Sequence, residues 1–277
     1  MSATAELSLP VRLPSARPPG TPARAGATVF LPKEHGSWSL ALEPVALGLL
    51  IAPSWAGGAL AGVALAGFLS RRPLKAACDP VRSPHRIAAR EALGVWGVLA
   101  LAGMVEVFVL APWTALWPLV PAAMLGLVFA WFDAQGESRA AAAEVAGSAA
   151  FAFMPAALAA LADFPAETAL ALALLALARS VPAVLAVRGY LRLAKGGAAR
   201  RVLTGMVAAC ALGVACVLTA TGLAPLSAVV LAALLFVRVL WLLGPWRPAW
   251  PAKRVGMMEA ALGLLYVAVL AATWPPA

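Results

Sequence analysis

The chain has 277 residues, 63% of them hydrophobic and 12% charged, with a formal net charge of +9. An average soluble domain carries about 25% charged residues, so this composition, with a mean hydropathy of +0.90, excludes a soluble globular domain and points to a polytopic membrane protein. The basic excess falls in connections between apolar runs, where it marks cytoplasmic loops facing anionic lipid rather than a nucleic-acid footprint.

Residues 1–29 are rich in Pro, Ala, Gly and Arg and contain no apolar core of the length a secretory signal needs. They are expected to form a disordered basic cytoplasmic tail ahead of a single membrane domain, residues 30–277. A bilayer core of about 30 Å needs about 20 helical residues, and on that ruler there are about nine runs. They cover residues 35–52, 54–70, 92–111, 113–132, 141–162, 168–187, 202–220, 225–244 and 256–274. The runs are long, rich in Ala and Leu and do not alternate, which excludes a closed barrel. The expected fold is therefore an all-α bundle of nine transmembrane helices.

The connections sort by charge. The tail carries Arg12, Arg17, Arg24 and Lys33, and RRPLKAACDPVRSPHRIAAR carries Arg71, Arg72, Lys75, Arg82, Arg86 and Arg90. Arg139 follows in DAQGESR, then Arg188, Arg192, Lys195, Arg200 and Arg201, then Arg247, Lys253 and Arg254. The alternate connections, near 53, 112, 163–167 and 221–224, contain no Lys or Arg. The positive-inside rule then puts the N-terminus in the cytoplasm and the C-terminus outside, in the inner (cytoplasmic) membrane. Cys78, Cys210 and Cys216 have neither metal-ligand nor disulfide-framework spacing.

The opening of the first run, LPKEHGSWSLALEP, places His35, Ser39 and Glu43 at i, i+4 and i+8 on one helix face. Glu43 lies about 12 Å beyond His35 along the axis, inside hydrocarbon. An intramembrane carboxyl is costly enough to mark a functional site, and Pro44 adds an acceptor by freeing the Leu40 carbonyl. Two arginines sit comparably deep, Arg179 in ALARSVPAV and Arg238 in LLFVRVLWLL. Each demands an anionic partner, and matched depth makes Glu43 the expected partner of Arg179, with Arg238 the second candidate. Nearer the cytoplasm, Arg71, Arg72 and Lys75 cluster in RRPLK, while Arg188, Arg192 and Lys195 share a helix face. These cations serve either as topology determinants or as an anion clamp, for which Arg is suited by bidentate hydrogen bonding. Glu137 and Glu144 share a face beside them and could pair with the rim arginines. HExxH, GxxxxGK[ST], GxSxG, paired CxxC and DxxxD patterns are all lacking, so no metal and no cofactor is assigned.

PKEHGSWSLALEP, the later RRPLK and ARSVPAVLAVRGYLR together resemble the YwiC-like family of bacterial membrane proteins, a likeness that implies no established reaction. More distantly, the spans and the polar loops after spans two, four and six resemble UbiA-type intramembrane prenyltransferases. In those enzymes two Asp-rich motifs hold Mg²⁺ and a prenyl diphosphate, whereas arginines stand at the corresponding places here. The resemblance implies a divergent transferase binding a prenyl diphosphate or other anionic amphiphile among membrane lipids. Lys33, Arg72, Lys75, Arg179, Arg188 and Arg192 would hold the anion, with His35 or Glu43 as acid or base. The competing expectation is a transporter or accessory protein built around an intramembrane Glu/Arg network.

Overall fold

The computed structural model describes residues 35–78 and 86–275; the N-terminal tail and Lys33 lie outside the described residues. Among them are ten α-helices and no strand. The helices are α1 (His35–Ile51), α2 (Trp55–Cys78), α3 (Arg86–Leu110), α4 (Leu119–Ala134), α5 (Ala141–Ala152), α6 (Met154–Ala160), α7 (Ala166–Ala194), α8 (Arg201–Ala220), α9 (Leu226–Leu243) and α10 (Ala252–Thr273). Among the described residues six units are long and apolar enough to cross a membrane: α3, α5 with α6, α7, α8, α9 and α10. Trp38–Ile51 and Leu119–Ala134 are shorter apolar helices.

Several boundaries depart from the hydropathy pattern for identifiable reasons. Residues 113–116 form a 3₁₀ turn between Pro112 and Pro118, so the regular helix α4 starts only at Leu119; proline removes the amide donors that would join the two. The run 141–162 is interrupted after Ala152, where Pro155 opens α6. Conversely, α2 and α7 continue past the apolar stretches, to Cys78 and Ala194, because the Ala, Leu, Arg and Lys residues there favour helix although they are not lipid-soluble. With 29 residues, α7 is about 44 Å long. Its overhang is pinned at Tyr190, whose buried hydroxyl accepts the Trp250 N–H at 2.8 Å and lies 2.7 Å from the Pro248 carbonyl.

The interior is built from small residues. Ala52, Ala156, Ala159, Ala169 and Ala173 are buried together around Leu172, which lets α1, α6 and α7 approach closely in the way small residues permit in membrane bundles. At Gly48 an added Cβ would come within 2.9 Å of the Pro155 Cα, so glycine is required for the α1–α6 contact. α7 packs against α1, α5, α6, α8, α9 and α10, and α1 also packs against α10. α1 and α10, the first and last of the described helices, are therefore neighbours, and Leu47, Leu175, Leu235, Tyr266 and Leu270 share one core with α7 and α9. α3, by contrast, packs on α2 and exposes Val98, Leu101, Val105, Phe108 and Val109, an apolar outer face suited to lipid.

Candidate functional site

Four helices deliver charged side chains to one buried place. Arg179 on α7 lies 3.4 Å from Glu43 on α1 and 3.7 Å from the Glu259 carboxylate on α10, and it donates to the Glu259 backbone carbonyl at 3.0 Å. Glu259 also pairs with Arg238 on α9. Arg179 is 5% exposed and Arg238 6%. The chain Glu43–Arg179–Glu259–Arg238 alternates in sign and is electrically neutral when all four groups are ionised. That neutrality answers the cost of burying each charge, about 2.5–3.5 kcal/mol on insertion scales.

The surroundings hold the network in register. Ser39, one turn before Glu43, donates its hydroxyl to the Glu43 carboxylate. Tyr266 on α10 donates to the Leu175 carbonyl of α7 at 3.0 Å, tying the two helices one turn from Arg179. Gly263 faces Glu43 so closely that a Cβ there would overlap the carboxylate. Beside the network is a cleft of ≈10 Å³ lined by Glu43, Pro44, Arg179, Ser180, Tyr266 and Leu40, among others, large enough for about one water molecule. Two buried atoms of its lining residues, Arg179 Nε and Ser180 Oγ, have no hydrogen-bond partner among the described residues.

The Glu43–Arg179 contact is the one matched depth predicts. Arg238 enters the same network, through Glu259 rather than through Glu43. Glu259 is absent from the sequence-derived site, although charge counting points to it: two deep arginines against one deep glutamate leave a carboxylate missing. His35 is the first residue of α1, and its side chain lies outside what the structure describes.

Three rim cations, Arg71, Lys75 and Arg188, are placed elsewhere, in separate ion pairs. Arg71 and Lys75, one turn apart on α2, reach Asp133 of α4 at 3.3 and 3.5 Å, and Arg71 stacks over Phe129 at 4.5 Å. Partial burial works to raise the Asp133 carboxyl, but the Arg71 guanidinium and then Lys75 outweigh it and hold the group below its ordinary value. On the other side Arg188 pairs with Glu144 of α5 at 2.6 Å and donates to the Arg139 carbonyl at 2.8 Å. Arg188 is nine residues beyond Arg179 on α7, about 14 Å along the axis. Arg72 is half-buried on α2 and Arg192 is exposed near the end of α7. Among the described residues no three His, Cys, Asp or Glu side chains converge as a metal site would require.

Residues 31–159 match the family model described as YwiC-like protein. No curated protein and no solved structure matches the chain. The matched segment contributes Glu43 to the buried network, while Arg179, Arg238 and Glu259 come from the part of the chain beyond it.

Proposed function

We propose that this chain, YwiC-like over residues 31–159, is a nine-span protein of the inner membrane, N-terminus inside and C-terminus outside, that moves a small solute. The observation that carries the reading is the neutral Glu43–Arg179–Glu259–Arg238 network, drawn from α1, α7, α9 and α10. Ionisable groups in spanning segments characteristically mark translocation pathways and proton relays. A guanidinium shared by two carboxylates on different helices can also re-partition between them when the helices move, which supplies two states of similar energy.

The UbiA-like reading, transfer of a prenyl group from its diphosphate, draws on the same bundle plan and the same basic rim. It needs a converging set of cations for the diphosphate, and of its proposed holders Lys75 is engaged with Asp133 and Arg188 with Glu144. The cleft beside Glu43 admits a water rather than a diphosphate. Transport therefore has the better support.

The test is reconstitution. Proteoliposomes are incubated with a small-molecule extract of bacterial cells, and their contents are identified by mass spectrometry. Solutes accumulated unchanged by the wild type and not by Arg179→Gln support transport; a prenyl product held by the purified protein instead supports the transferase. Orientation is tested separately with cysteines placed near 136, 196 and 250, together with native Cys78. All four should be labelled from the cytoplasm only, and labelling of any of them from outside breaks the nine-span arrangement.

A further inference from the structure

The network is neutral only while both carboxylates are ionised, and the two differ in how firmly that is enforced. Glu259 touches two guanidiniums and Glu43 touches one. Glu43 also lines the cleft, where a water can reach it, and Glu259 is not among the cleft-lining residues. The charged and titratable groups facing Glu43 are Arg179 from α7 and Glu259 and Tyr266 from α10, with Arg238 of α9 behind Glu259. The contacts that α1 makes with α2, α5 and α6 are apolar: Trp38 meets Phe68 edge-on, and Val45 shares a core with Phe151 and Leu158. If one carboxylate takes a proton, Glu43 is the one whose loss of charge leaves every remaining ion retaining a partner. Ser39, which now donates to the carboxylate, can rotate its hydroxyl and accept from the carboxylic acid instead.

Protonation leaves two arginines against one glutamate, a surplus of one positive charge on guanidiniums only 5% and 6% exposed. The residues that line the cleft already carry unused donors, Arg179 Nε and Ser180 Oγ, and an N–H and an O–H without acceptors are what an anion needs. We infer that the cleft beside Glu43 binds a small monoanion, a carboxylate in chemical class, together with one proton, the proton on Glu43 and the anion on Arg179 and Ser180. The inference rests on the transport reading for the purpose of the site. The charges balance: one proton and one monoanion enter and the network stays neutral, so the pair crosses without net charge movement. Room for an anion larger than water comes from opening the Glu43–Arg179 contact, and the added proton weakens that contact.

The test is equilibrium binding of formate to the full chain in detergent, read from the shift in thermal unfolding midpoint at constant ionic strength, between pH 5.5 and 8. The wild type should bind formate more weakly as pH rises, approaching about tenfold per pH unit on the alkaline side of the Glu43 titration. Glu43→Gln, which carries the hydrogen but not the charge, should bind formate with little pH dependence and more tightly than the wild type at pH 8. Arg179→Gln should not bind it. Should Glu43→Gln fail to fold, the wild-type pH series and Ser180→Ala decide. Ser180→Ala should weaken formate binding several-fold while leaving the pH slope intact. Wild-type affinity that does not change with pH overturns the inference. So does a Glu43→Gln variant no better than wild type at pH 8, or diphosphate displacing formate at lower concentration. Because binding is measured without flux, proton-linked binding with no solute movement in proteoliposomes would sink the transport reading and leave the site standing.

Discussion

Removing Glu259 should damage the protein more than removing Glu43, although either change deletes one negative charge. In Glu43→Gln the two guanidiniums still share Glu259, which already contacts both. In Glu259→Gln the surviving Glu43 contacts Arg179 alone, so Arg238, 6% exposed, loses its carboxylate. Breaking a buried pair by removing one partner costs about 3–5 kcal/mol, because an uncompensated charge is left behind. That corresponds to roughly two to three and a half orders of magnitude in the folding equilibrium. Glu43→Gln should cost less than half as much. Adding Arg238→Gln to Glu259→Gln should recover at least half of the loss, since Glu43 and Arg179 then remain as a neutral pair. The measurement is reversible unfolding by SDS in mixed micelles, followed by tryptophan fluorescence for wild type, the three single Gln variants and the double. Equal destabilisation by Glu43→Gln and Glu259→Gln would refute the reasoning, as would strict additivity in the double, which would mean that Arg238 and Glu259 are not coupled.

Three further outcomes are expected. Gly263→Ala ordinarily gains up to about 1 kcal/mol in a helix interior, but here the new Cβ overlaps Glu43. It should instead cost about 1–3 kcal/mol and become milder in a Glu43→Ala background; unfolding of the two single variants and the double checks this. Asp133 has a folded-state pKa lowered by Arg71 and Lys75, so it contributes stability at pH values above its unfolded value, near 4. That contribution disappears as pH falls through the lower folded value. Wild type minus Asp133→Asn should therefore be at most about 1 kcal/mol at neutral pH, given the exposure of both cations, and should vanish in strong acid; a difference that grows in acid contradicts it. Tyr190→Phe should cost about 1–2 kcal/mol, because the part-buried Trp250 N–H contact at 2.8 Å loses its acceptor, and hydrogen exchange at Trp250 should rise.

The legible part of the site was the part governed by depth. Glu43, Arg179 and Arg238 stand in apolar sequence far from any rim, and a charge there needs a partner wherever the chain supplies one. Glu259 follows Lys253 and Arg254 within two turns, where a carboxylate looks interfacial until the arginines are counted against it. Helix existence was legible from apolar runs of bilayer length; helix ends were not, because hydropathy reports where lipid stops rather than where hydrogen bonding stops. That is why α2 and α7 run on through RRPLKAAC and RGYLRLA. The rim is less legible for a related reason: helical extension places Arg71 and Lys75 on Asp133, a long-range pairing that spacing within RRPLK does not reveal. The Arg188–Glu144 pair is legible, since Glu144 shares a helix face with Glu137 beside the rim arginines and carries the opposite charge.

The order of the network along the chain sets a problem for biosynthesis. Glu43 lies in α1, the earliest of the described helices, while its counter-charge Arg179 lies in α7 and Glu259 in α10. Arg179 follows Glu43 by 136 residues (179 − 43), which at about 5–20 residues per second takes roughly 7–27 seconds to synthesise. Through that interval a short helix of 17 residues, carrying both a carboxylate and an internal proline, has no cationic partner from α7. The final seat of α1 between α7 and α10 is thus settled after translation of the whole bundle, and a ribosome halted before α7 should leave α1 at the bilayer surface or within the insertion machinery.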